Sequence, residues 1–297
     1  MEFSLKPFKK EIISNKEVFI FEDLGRNIDL TTVESFGEEW TSFDSFTDEE
    51  IQIAGDQYFD IVKDEWIQGK ALLDVGCGTG RWSKYLASKA KSIEAIDPSK
   101  AVFSAAQLLQ NNNNVRISKA AVDTIPFEDN SFDFVFSLGV LHHIPDTADA
   151  MRKCVDKLKS NGYFLVYLYY NFEQRGHLFK TIFWLSSLVR FFVSKLPSSL
   201  KKLTCNSLAI SLYLPLIYFS KFVERLGLKK ISNLIPLSYY KTHSLNIIFN
   251  DALDRFGTPL EQRFSRADIR TMMEKAGLAD IVFSDNEPYW HAIGKKL

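Results

Sequence analysis

Short apolar runs alternate with amphipathic stretches through the middle of the chain. Three stretches have helical patterns, at residues 81–89, 99–110 and 146–159. Five runs have the length and composition of buried strands: residues 71–75, 92–97, 115–118, 132–137 and 162–170. Because strands that alternate with helices form parallel sheets, this pattern predicts an α/β fold with helices on both faces of the sheet.

Both ends of the chain add elements to this pattern. Residues 17–21 are predicted as either a strand or a tucked extended segment. Near the other end, Ser265 and Gly277 mark the N-cap of a helix and the residue that follows its last turn. Two further strands, 281–284 and 290–294, are predicted to follow that helix.

Residues 172–245 interrupt the alternation and are predicted to form a helical insertion after the fifth strand. Within them, 203–220 has no charged residue and reaches the length of a membrane span. Asn206 and Pro215 dilute its apolar character, so a helix of a soluble cap is the first interpretation. The alternatives are a peripheral membrane contact through 178–220 and a true span. A cap that leaves the sheet at this point would select the substrate.

Charge and cysteine content restrict the classes of function. The 297 residues include 36 basic and 37 acidic side chains, so no overall surface for polyanions is expected, and nucleic acid is not an expected partner. The three cysteines are widely spaced without a metal-binding pattern, which predicts a reduced, cytoplasmic protein with no bound metal. The first residues are charged and lack an apolar stretch, so no signal peptide is expected.

A glycine-rich loop follows the strand predicted at 71–75. Residues 72–80 read LLDVGCGTG, and the three glycines at alternate positions allow a tight turn and the close approach of a ligand. The spacing differs from the G-x-G-x-x-G of dinucleotide folds. Asp74 adds a carboxylate that suits a cationic or zwitterionic ligand. A second acid, Asp97, ends the next strand at a spacing typical of a ribose contact.

Two further segments make this pattern specific. Residues 125–137 read IPFEDNSFDFVFS, and residues 141–145 read LHHIP. Together with the glycine-rich loop, they resemble the class I S-adenosylmethionine-dependent methyltransferases, in the methyltransferase type 11 branch of ubiquinone and menaquinone biosynthesis. The resemblance covers residues 70–170. It implies a Rossmann-like sheet of seven mostly parallel strands, with S-adenosyl-L-methionine as the methyl donor.

The resemblance also implies which residues bind the cofactor. In chain order they are Trp40, Asp74, Gly76, Cys77, Gly78, Gly80, Asp97, Pro98, Val122, Asp123, Ser137 and Leu138. The glycine-rich loop is assigned to the methionine end, and Asp97 to the ribose hydroxyls. Val122 and Asp123 are assigned to the adenine side, while Ser137 or Leu138 lies beneath the sulfonium.

Two of these positions have alternatives. The acidic residue that the family places near the adenine is Ala121 here, which leaves Asp123 or backbone groups for that contact. Trp40 belongs to the segment FGEEW. It is expected either to lie over the cofactor or to pack a helix against the edge of the sheet.

Methyl transfer from a sulfonium is an in-line displacement that depends on the alignment of donor and acceptor. A hydroxyl acceptor also has to lose a proton, and histidine is the usual base near neutral pH. His142 and His143 are the candidate catalytic residues, because they follow the fourth strand at the edge where such sheets bind ligands. The HH pair recurs in the family among enzymes with unlike substrates, so a structural or cofactor-side role is the alternative. His177 and His243 are further candidates in the insertion.

We predict methyl transfer to an oxygen or nitrogen, rather than carbon, of a small-molecule, sugar or lipid-linked acceptor. The aromatic, apolar insertion suggests that the acceptor has a hydrophobic part. The protein is therefore expected to be cytoplasmic and to contact the surface of the membrane. The glycine spacing and Asp74 disfavour a nucleotide-binding oxidoreductase. A non-catalytic binding or scaffold protein with the same fold is the alternative.

The predicted division of the chain has four parts. Residues 1–68 form an N-terminal segment with a lid helix, and 69–171 form the cofactor-binding core. Residues 172–245 form the helical cap insertion, and 246–297 complete the core with a helix and strands.

Overall fold

A computed structural model describes residues 2–22, 25–42, 46–173 and 176–297. The strands are β1 (Lys9–Ile13), β2 (Lys16–Ile20), β3 (Ala71–Val75), β4 (Ser92–Asp97), β5 (Val115–Lys119), β6 (Phe132–Leu138), β7 (Leu158–Tyr167), β8 (Leu278–Phe283) and β9 (His291–Lys296). They form one sheet in the order β1-β2-β5-β4-β3-β6-β7-β9-β8.

The helices lie between and after these strands. In chain order they are α1 (Leu30–Ser42), α2 (Asp48–Tyr58), α3 (Asp64–Ile67), α4 (Arg81–Ala87), α5 (Ala101–Leu108), α6 (Thr147–Asp156), α7 (His177–Val193), α8 (Ser198–Leu208), α9 (Leu214–Arg225), α10 (Lys229–Ser232), α11 (Leu245–Gly257) and α12 (Arg266–Lys275). Short 3₁₀ turns occupy Val122–Thr124, Leu141–His143 and Ser238–Thr242, and a π turn, Ala209–Tyr213, joins α8 to α9.

The middle of the sheet is parallel and its edges are mixed. Strands β5, β4, β3, β6 and β7 run in one direction, as does β2. Strand β9 pairs antiparallel with both β7 and β8, and β1 pairs antiparallel with β2. The predicted α/β class with a mostly parallel sheet is therefore confirmed.

The predicted count of seven strands is wrong, because the described part of the chain forms a sheet of nine. The additional pair, β1 and β2, extends the sheet beyond β5, where Val18 lies opposite Ile117. Of the two alternatives for residues 17–21, the strand is therefore the correct one. Ser14 and Asn15, both with positive φ, make the tight turn between β1 and β2. The sequence of β1, KKEII, gives little signal because this edge strand is mostly exposed.

Two apolar clusters cover the two faces of the sheet, and neighbouring residues of one strand point into different clusters. Leu73 and Val135 belong to the cluster that includes residues of α6 and α12. Leu72, Phe134 and Phe136 belong to the cluster that includes residues of α4 and α5. All five are fully buried. Because both faces are covered, the central strands are apolar throughout rather than alternating with polar residues.

The chain divides into two compact units, which we call the core unit and the helical unit. The core unit is Met1–Gln174 with Leu260–Leu297, and the helical unit is Arg175–Pro259. The helical unit thus extends beyond the predicted insertion boundary at residue 245. The reason is α11, which packs against α7 and α8 rather than against the sheet.

The helical unit has its own apolar core. Cys205, Ala209, Tyr213 and Ile217 lie four residues apart along the helical stretch from α8 to α9 and are all buried. They share this cluster with buried residues of α11, among them Phe256. A spacing of four residues places them on one face of the helical stretch, and that face belongs to the core of the unit.

One helical stretch in the described part of the chain, Ser198–Arg225, is long and apolar enough to cross a membrane by length and composition alone. Its mean hydropathy over the best window is 1.3, and 28% of that window is buried inside the protein. The buried part is the core face of the helical unit. The other faces carry exposed large apolar side chains such as Leu203, Ile210 and Phe219.

Candidate functional site

The glycine-rich loop leaves β3 through three left-handed residues. Gly76, Gly78 and Gly80 have φ angles of +81°, +53° and +84°, a conformation that L side chains rarely adopt. The amides of Gly76 and Cys77 donate to the Ile96 carbonyl at 2.8 and 2.9 Å. The loop is therefore tied to the end of β4 as soon as it leaves β3.

The three glycines have different surroundings. A Cβ on Gly76 would lie 2.4 Å from a methyl group of Val140, and a Cβ on Gly80 would lie 2.6 Å from Leu109. A Cβ on Gly78 would meet no heavy atom of the described residues within 4 Å. Close packing thus requires the outer two glycines, whereas the backbone of Gly78 faces open space that a ligand can approach.

Asp97, at the end of β4, holds the middle of the loop. Its Oδ2 accepts a hydrogen bond from the Gly78 amide at 3.0 Å, and its Oδ1 accepts from the Ser99 amide and hydroxyl at 2.8 and 2.6 Å. Burial raises the pKa of Asp97, and these hydrogen bonds oppose that rise. A carboxylate can accept about four hydrogen bonds, so Asp97 retains capacity for a ligand hydroxyl.

Asp74 is buried beside Asp97, and one of its oxygens lacks a partner. Oδ2 accepts from the Ser83 hydroxyl at 2.7 Å. Oδ1 is buried and has no hydrogen-bond partner within the described ranges. Burial, with a contribution from the charge of Asp97, raises the pKa of Asp74 to about 7. A buried carboxyl oxygen without a partner is costly, and a ligand that carries an ammonium group would satisfy it.

The end of β6 lies next to this loop in the sheet. The Ser137 hydroxyl donates to the Val75 carbonyl at 2.8 Å and is fully buried. Leu138 and Cys77 are also buried, and burial raises the pKa of the Cys77 thiol well above its ordinary value. Pro98, directly after Asp97, is partly buried. The structure thus brings the predicted residues of β3, β4 and β6 together at one edge.

Asp123, predicted on the adenine side, contacts the N-terminal segment. Its Oδ2 accepts from the amides of Arg26 and Asn27 at 2.6 and 3.2 Å, and its Oδ1 pairs with Lys153. Both oxygens therefore have protein partners, and the neighbouring Val122 is a buried core residue. The adenine roles of Asp123 and Val122 remain predictions.

Trp40 lies on α1, close to the residue that follows the glycine-rich loop. The Arg81 guanidinium is 5.4 Å from the Trp40 ring centroid and 4.5 Å from that of Trp82. Helix α1 also packs against α5, where a Cβ on Gly37 would lie 3.3 Å from the Lys100 amide. This position is compatible with both interpretations of Trp40, so its contact with the cofactor remains a prediction.

His142 is fully buried in the 3₁₀ turn after β6. Neither of its ring nitrogens has a hydrogen-bond partner in the described part of the chain. Its ring centroid lies 3.9 Å from that of Tyr169 and 4.1 Å from that of His143. Burial, followed by the charges of His143 and Arg263, lowers its pKa well below the ordinary value. His142 is therefore a neutral imidazole at physiological pH.

His143 is held in one tautomer by a residue from much later in the chain. Its Nδ1 lies 2.7 Å from the Leu260 carbonyl oxygen, which can only accept a hydrogen bond. Nδ1 therefore carries the hydrogen, and the lone pair of the neutral ring is on Nε2. A neutral imidazole with a fixed lone pair has the form that a general base requires.

Residues 260–264 complete this edge of the site, and the sequence pattern gave no indication of them. The Gln262 amide donates to the His142 carbonyl at 3.0 Å, and the Phe264 amide donates to the Tyr169 carbonyl at 2.9 Å. The Arg263 guanidinium lies 5.0 Å from the Tyr169 ring centroid. Only the return of the chain from the helical unit places these residues beside β6 and β7.

The other histidine candidates lie elsewhere. His243 belongs to the helical unit, where its Nδ1 is 3.1 Å from the Tyr239 carbonyl oxygen and burial lowers its pKa. The side chain of His177 lies outside the described residues. Across the described ranges, no group of three or more His, Cys, Asp and Glu side chains could hold a metal ion.

The raised pKa of Asp74 predicts that Asp74→Asn stabilises the ligand-free protein at alkaline pH. The folded state holds the Asp74 proton more tightly than the unfolded chain, so stability falls as pH rises from the unfolded pKa towards the folded value of about 7. Asparagine does not ionise and escapes this loss. We expect a gain on the order of 2–4 kcal/mol at about pH 8 that shrinks towards pH 4, measured by urea unfolding.

Asp285→Asn is the matched control, because the side chain of Asp285 is 88% exposed. It should change stability little at either pH. An Asp74→Asn variant that is destabilised to the same extent at both pH values would show that Asp74 is ionised and well partnered without a ligand, contrary to this prediction.

Comparison with known proteins agrees with this geometry. Residues 73–166 match the family model described as "Methyltransferase domain". The ubiquinone biosynthesis O-methyltransferase of Nitrosomonas europaea is 34% identical over 106 residues, which are 34% of this chain and 45% of that protein. The enzyme of the same name from Pseudomonas fluorescens (strain Pf0-1) is 32% identical over 102 residues, 32% of this chain and 43% of that protein.

Among solved structures, a SAM-dependent methyltransferase from Aquifex aeolicus covers 84% of this chain and 98% of its own, at 15% identity and a TM-score of 0.44. The chain spans less than half the length of the curated relatives it matches. The match to the family model extends from β3 to β7, where the glycine-rich loop, Asp97 and the two histidines lie. Residues 73–166 therefore resemble a methyltransferase domain, and this part of the chain is similar to the ubiquinone biosynthesis O-methyltransferases over less than half of their length.

Proposed function

We propose that this protein transfers the methyl group of S-adenosyl-L-methionine to an oxygen of a small-molecule acceptor. The observation that carries the proposal is the buried, unpartnered Asp74 oxygen beside a loop whose Gly78 backbone faces open space. The names of the curated relatives favour oxygen as the methylated atom and do not favour the non-catalytic alternative.

The residues of the loop fit the cofactor by their chemistry. Asp74 would receive the ammonium of its methionine part, and Asp97 would accept from its ribose hydroxyls. Asp97 is already oriented by Ser99 and Gly78, so it can bind without rearrangement. When bound, the cofactor supplies a methyl group on a sulfonium, which a nucleophile displaces in line. The protein's contribution is alignment, which can be worth about 7–11 kcal/mol of the barrier.

His143 is the proposed general base. The Leu260 carbonyl fixes the hydrogen on Nδ1, so that Nε2 can take the proton of an acceptor hydroxyl. His142 is buried against His143 and Tyr169 and keeps these rings in place. The two histidines would therefore have different roles, with His143 as the base and His142 as a positioning residue.

The acceptor is proposed to have a hydrophobic part, as a lipid-linked intermediate or an apolar aromatic compound does. The support for this is the helical unit, which carries exposed aromatic and aliphatic side chains on α7 and α9. Peripheral membrane contact through residues 178–220 and a cytoplasmic location belong to the same proposal. A sugar acceptor bearing a lipid would meet the same conditions.

Binding of S-adenosylhomocysteine, measured by calorimetry, tests the donor half of the proposal. We expect affinity in the micromolar range, no binding of NADH, and a loss of at least about tenfold in affinity for Asp97→Ala, because a ligand hydroxyl then has no acceptor. Glu94→Gln is the matched control: Glu94 is a buried acid on the same strand, and it pairs with Arg116.

Two results would contradict the donor assignment. One is the absence of S-adenosylhomocysteine binding by folded protein. The other is an equal loss of affinity in the Glu94→Gln and Asp97→Ala variants, which would attribute the effect to the strand rather than to the Asp97 carboxylate.

Substitution of His143 tests its proposed role as the general base. With a phenolic acceptor identified by transfer of a labelled methyl group, His143→Gln should lower kcat by about 10²- to 10⁴-fold and leave S-adenosylhomocysteine affinity unchanged. Glutamine can keep the contact with Leu260 but cannot take a proton near neutral pH. His243→Gln, in the helical unit, is the control. Unchanged kcat in His143→Gln would remove His143 from the reaction.

A further inference from the structure

The charges of the chain are divided unequally between its two units. Residues 175–259 contain twelve basic and three acidic side chains, a net charge of +9. The remaining residues contain 24 basic and 34 acidic side chains, a net charge of −10. The near-neutral total conceals this division. The helical unit is therefore a strongly basic surface on an otherwise acidic protein.

The end of α9 and the whole of α10 combine this charge with exposed apolar side chains. We call residues 218–234 the basic hairpin. Its inward positions, Ser220, Val223 and Ser232, are buried. Its exposed apolar side chains are Tyr218, Phe219, Phe222, Leu226, Leu228, Ile231 and Leu234, each 48–67% exposed. Seven large apolar side chains exposed within one short segment are unusual, because such side chains are normally scattered singly over a protein surface.

The basic hairpin is a fixed structure rather than a loose loop. Gly227, with φ of +81°, turns the chain between α9 and α10. The hydroxyls of Ser220 and Ser232 each donate to the carbonyl of the other residue, at 3.0 and 2.9 Å. The apolar side chains are therefore displayed outward by a clamped pair of helices.

The exposed charge on the basic hairpin is of one sign. Its basic residues are Lys221, Arg225, Lys229 and Lys230, and none of them forms an ion pair within the described ranges. Its single acid, Glu224, is bound by Lys241 at 2.6 Å from outside the hairpin. That contact holds the pKa of Glu224 below its ordinary value, so the carboxylate stays ionised and its charge is offset by the Lys241 ammonium group.

We propose that the basic hairpin docks on the surface of an anionic phospholipid bilayer. Apolar side chains flanked by lysine and arginine suit the boundary between headgroups and acyl chains, where apolar groups insert and basic groups meet lipid phosphates. A second copy of this chain fits poorly, because a two-fold contact would place two sets of four positive charges against each other. Helix α7 also has exposed apolar side chains, but among its described basic neighbours only Lys180 and Lys195 are exposed, whereas Arg190 is half-buried.

Docking of this kind would bring the enzyme to acceptors that partition into the bilayer. This consequence rests on the proposed function, whereas the docking itself does not. It adds residues 218–234 to the membrane contact proposed through residues 178–220, in which the face of 205–217 that packs in the unit is not available to lipid.

Co-sedimentation of the full chain with vesicles tests the docking without donor or acceptor. We expect binding to vesicles of phosphatidylcholine mixed with phosphatidylglycerol, weak binding to phosphatidylcholine alone, and loss of binding at high salt. Lys229→Glu/Lys230→Glu should weaken binding to the anionic vesicles by at least about tenfold. Leu226→Ser/Leu234→Ser should weaken it by a similar factor through the lost apolar insertion.

Matched variants in the core unit control for general effects. Lys63→Glu/Lys91→Glu changes the charge by the same amount at exposed positions, and Ile12→Ser/Ile53→Ser removes apolar side chains that are 71% and 55% exposed. Both should bind vesicles like the unaltered protein. All variants should bind S-adenosylhomocysteine normally, which separates a failure of docking from a failure of the donor site.

Three results would overturn the proposal. The first is the absence of binding to anionic vesicles by protein that binds S-adenosylhomocysteine. The second is an equal effect of the hairpin and core-unit variants. The third is a concentration-dependent dimer, measured by sedimentation, that only the hairpin variants disrupt, because this would assign the surface to a second copy of the chain.

Discussion

The hydrogen bond from the Gly78 amide to the Asp97 carboxylate joins the ends of two neighbouring parallel strands. Strands β3 and β4 are already paired in register, with Val75 opposite Ile96. The loop amides of Gly76 and Cys77 add two more bonds to β4. As a result, the loop and the acid at the end of β4 move together. A site fixed in this way before the ligand arrives does not have to be ordered on binding.

The pairing of β3 with β4 also places the carboxyl groups of Asp74 and Asp97 close together in a buried region. Asp97 satisfies its oxygens with Gly78 and Ser99, whereas Asp74 has one oxygen bonded to Ser83 and one without a partner. The two carboxyl groups therefore differ in how well their oxygens are hydrogen-bonded. Asp97 is oriented to accept hydrogen bonds. Asp74 has a buried oxygen without a partner, which is energetically unfavourable, and a positively charged ligand group can remove this cost. Natural proteins commonly give up stability at functional sites in this manner.

The two compact units differ in the size of their apolar cores, in their exposed apolar side chains and in their net charge. The core unit has apolar clusters with buried aromatic residues on both faces of the sheet, and it carries a net negative charge. The helical unit has a small core of its own and leaves many large apolar side chains and most of its basic residues exposed. Soluble domains normally cover such surface. The glycine-rich loop belongs to the core unit, whereas the helical unit carries the excess of basic and exposed apolar residues.

Local patterns determined the central part of this protein, and tertiary structure decided the rest. The bounds of β3 and β4, the turn at the glycines and the cap at Ser265 depend on residues near each other in the chain. The edge strand β1 and the boundary of the helical unit depend on pairing and packing with distant residues. At the site, Asp74, Asp97 and the histidine pair could be identified from the sequence because each lies at the end of a strand or just after it. The fixed tautomer of His143 and the partners of Asp123 could not. They depend on Leu260 and on residues 26–27, about a hundred positions away, which only the folded chain brings into contact.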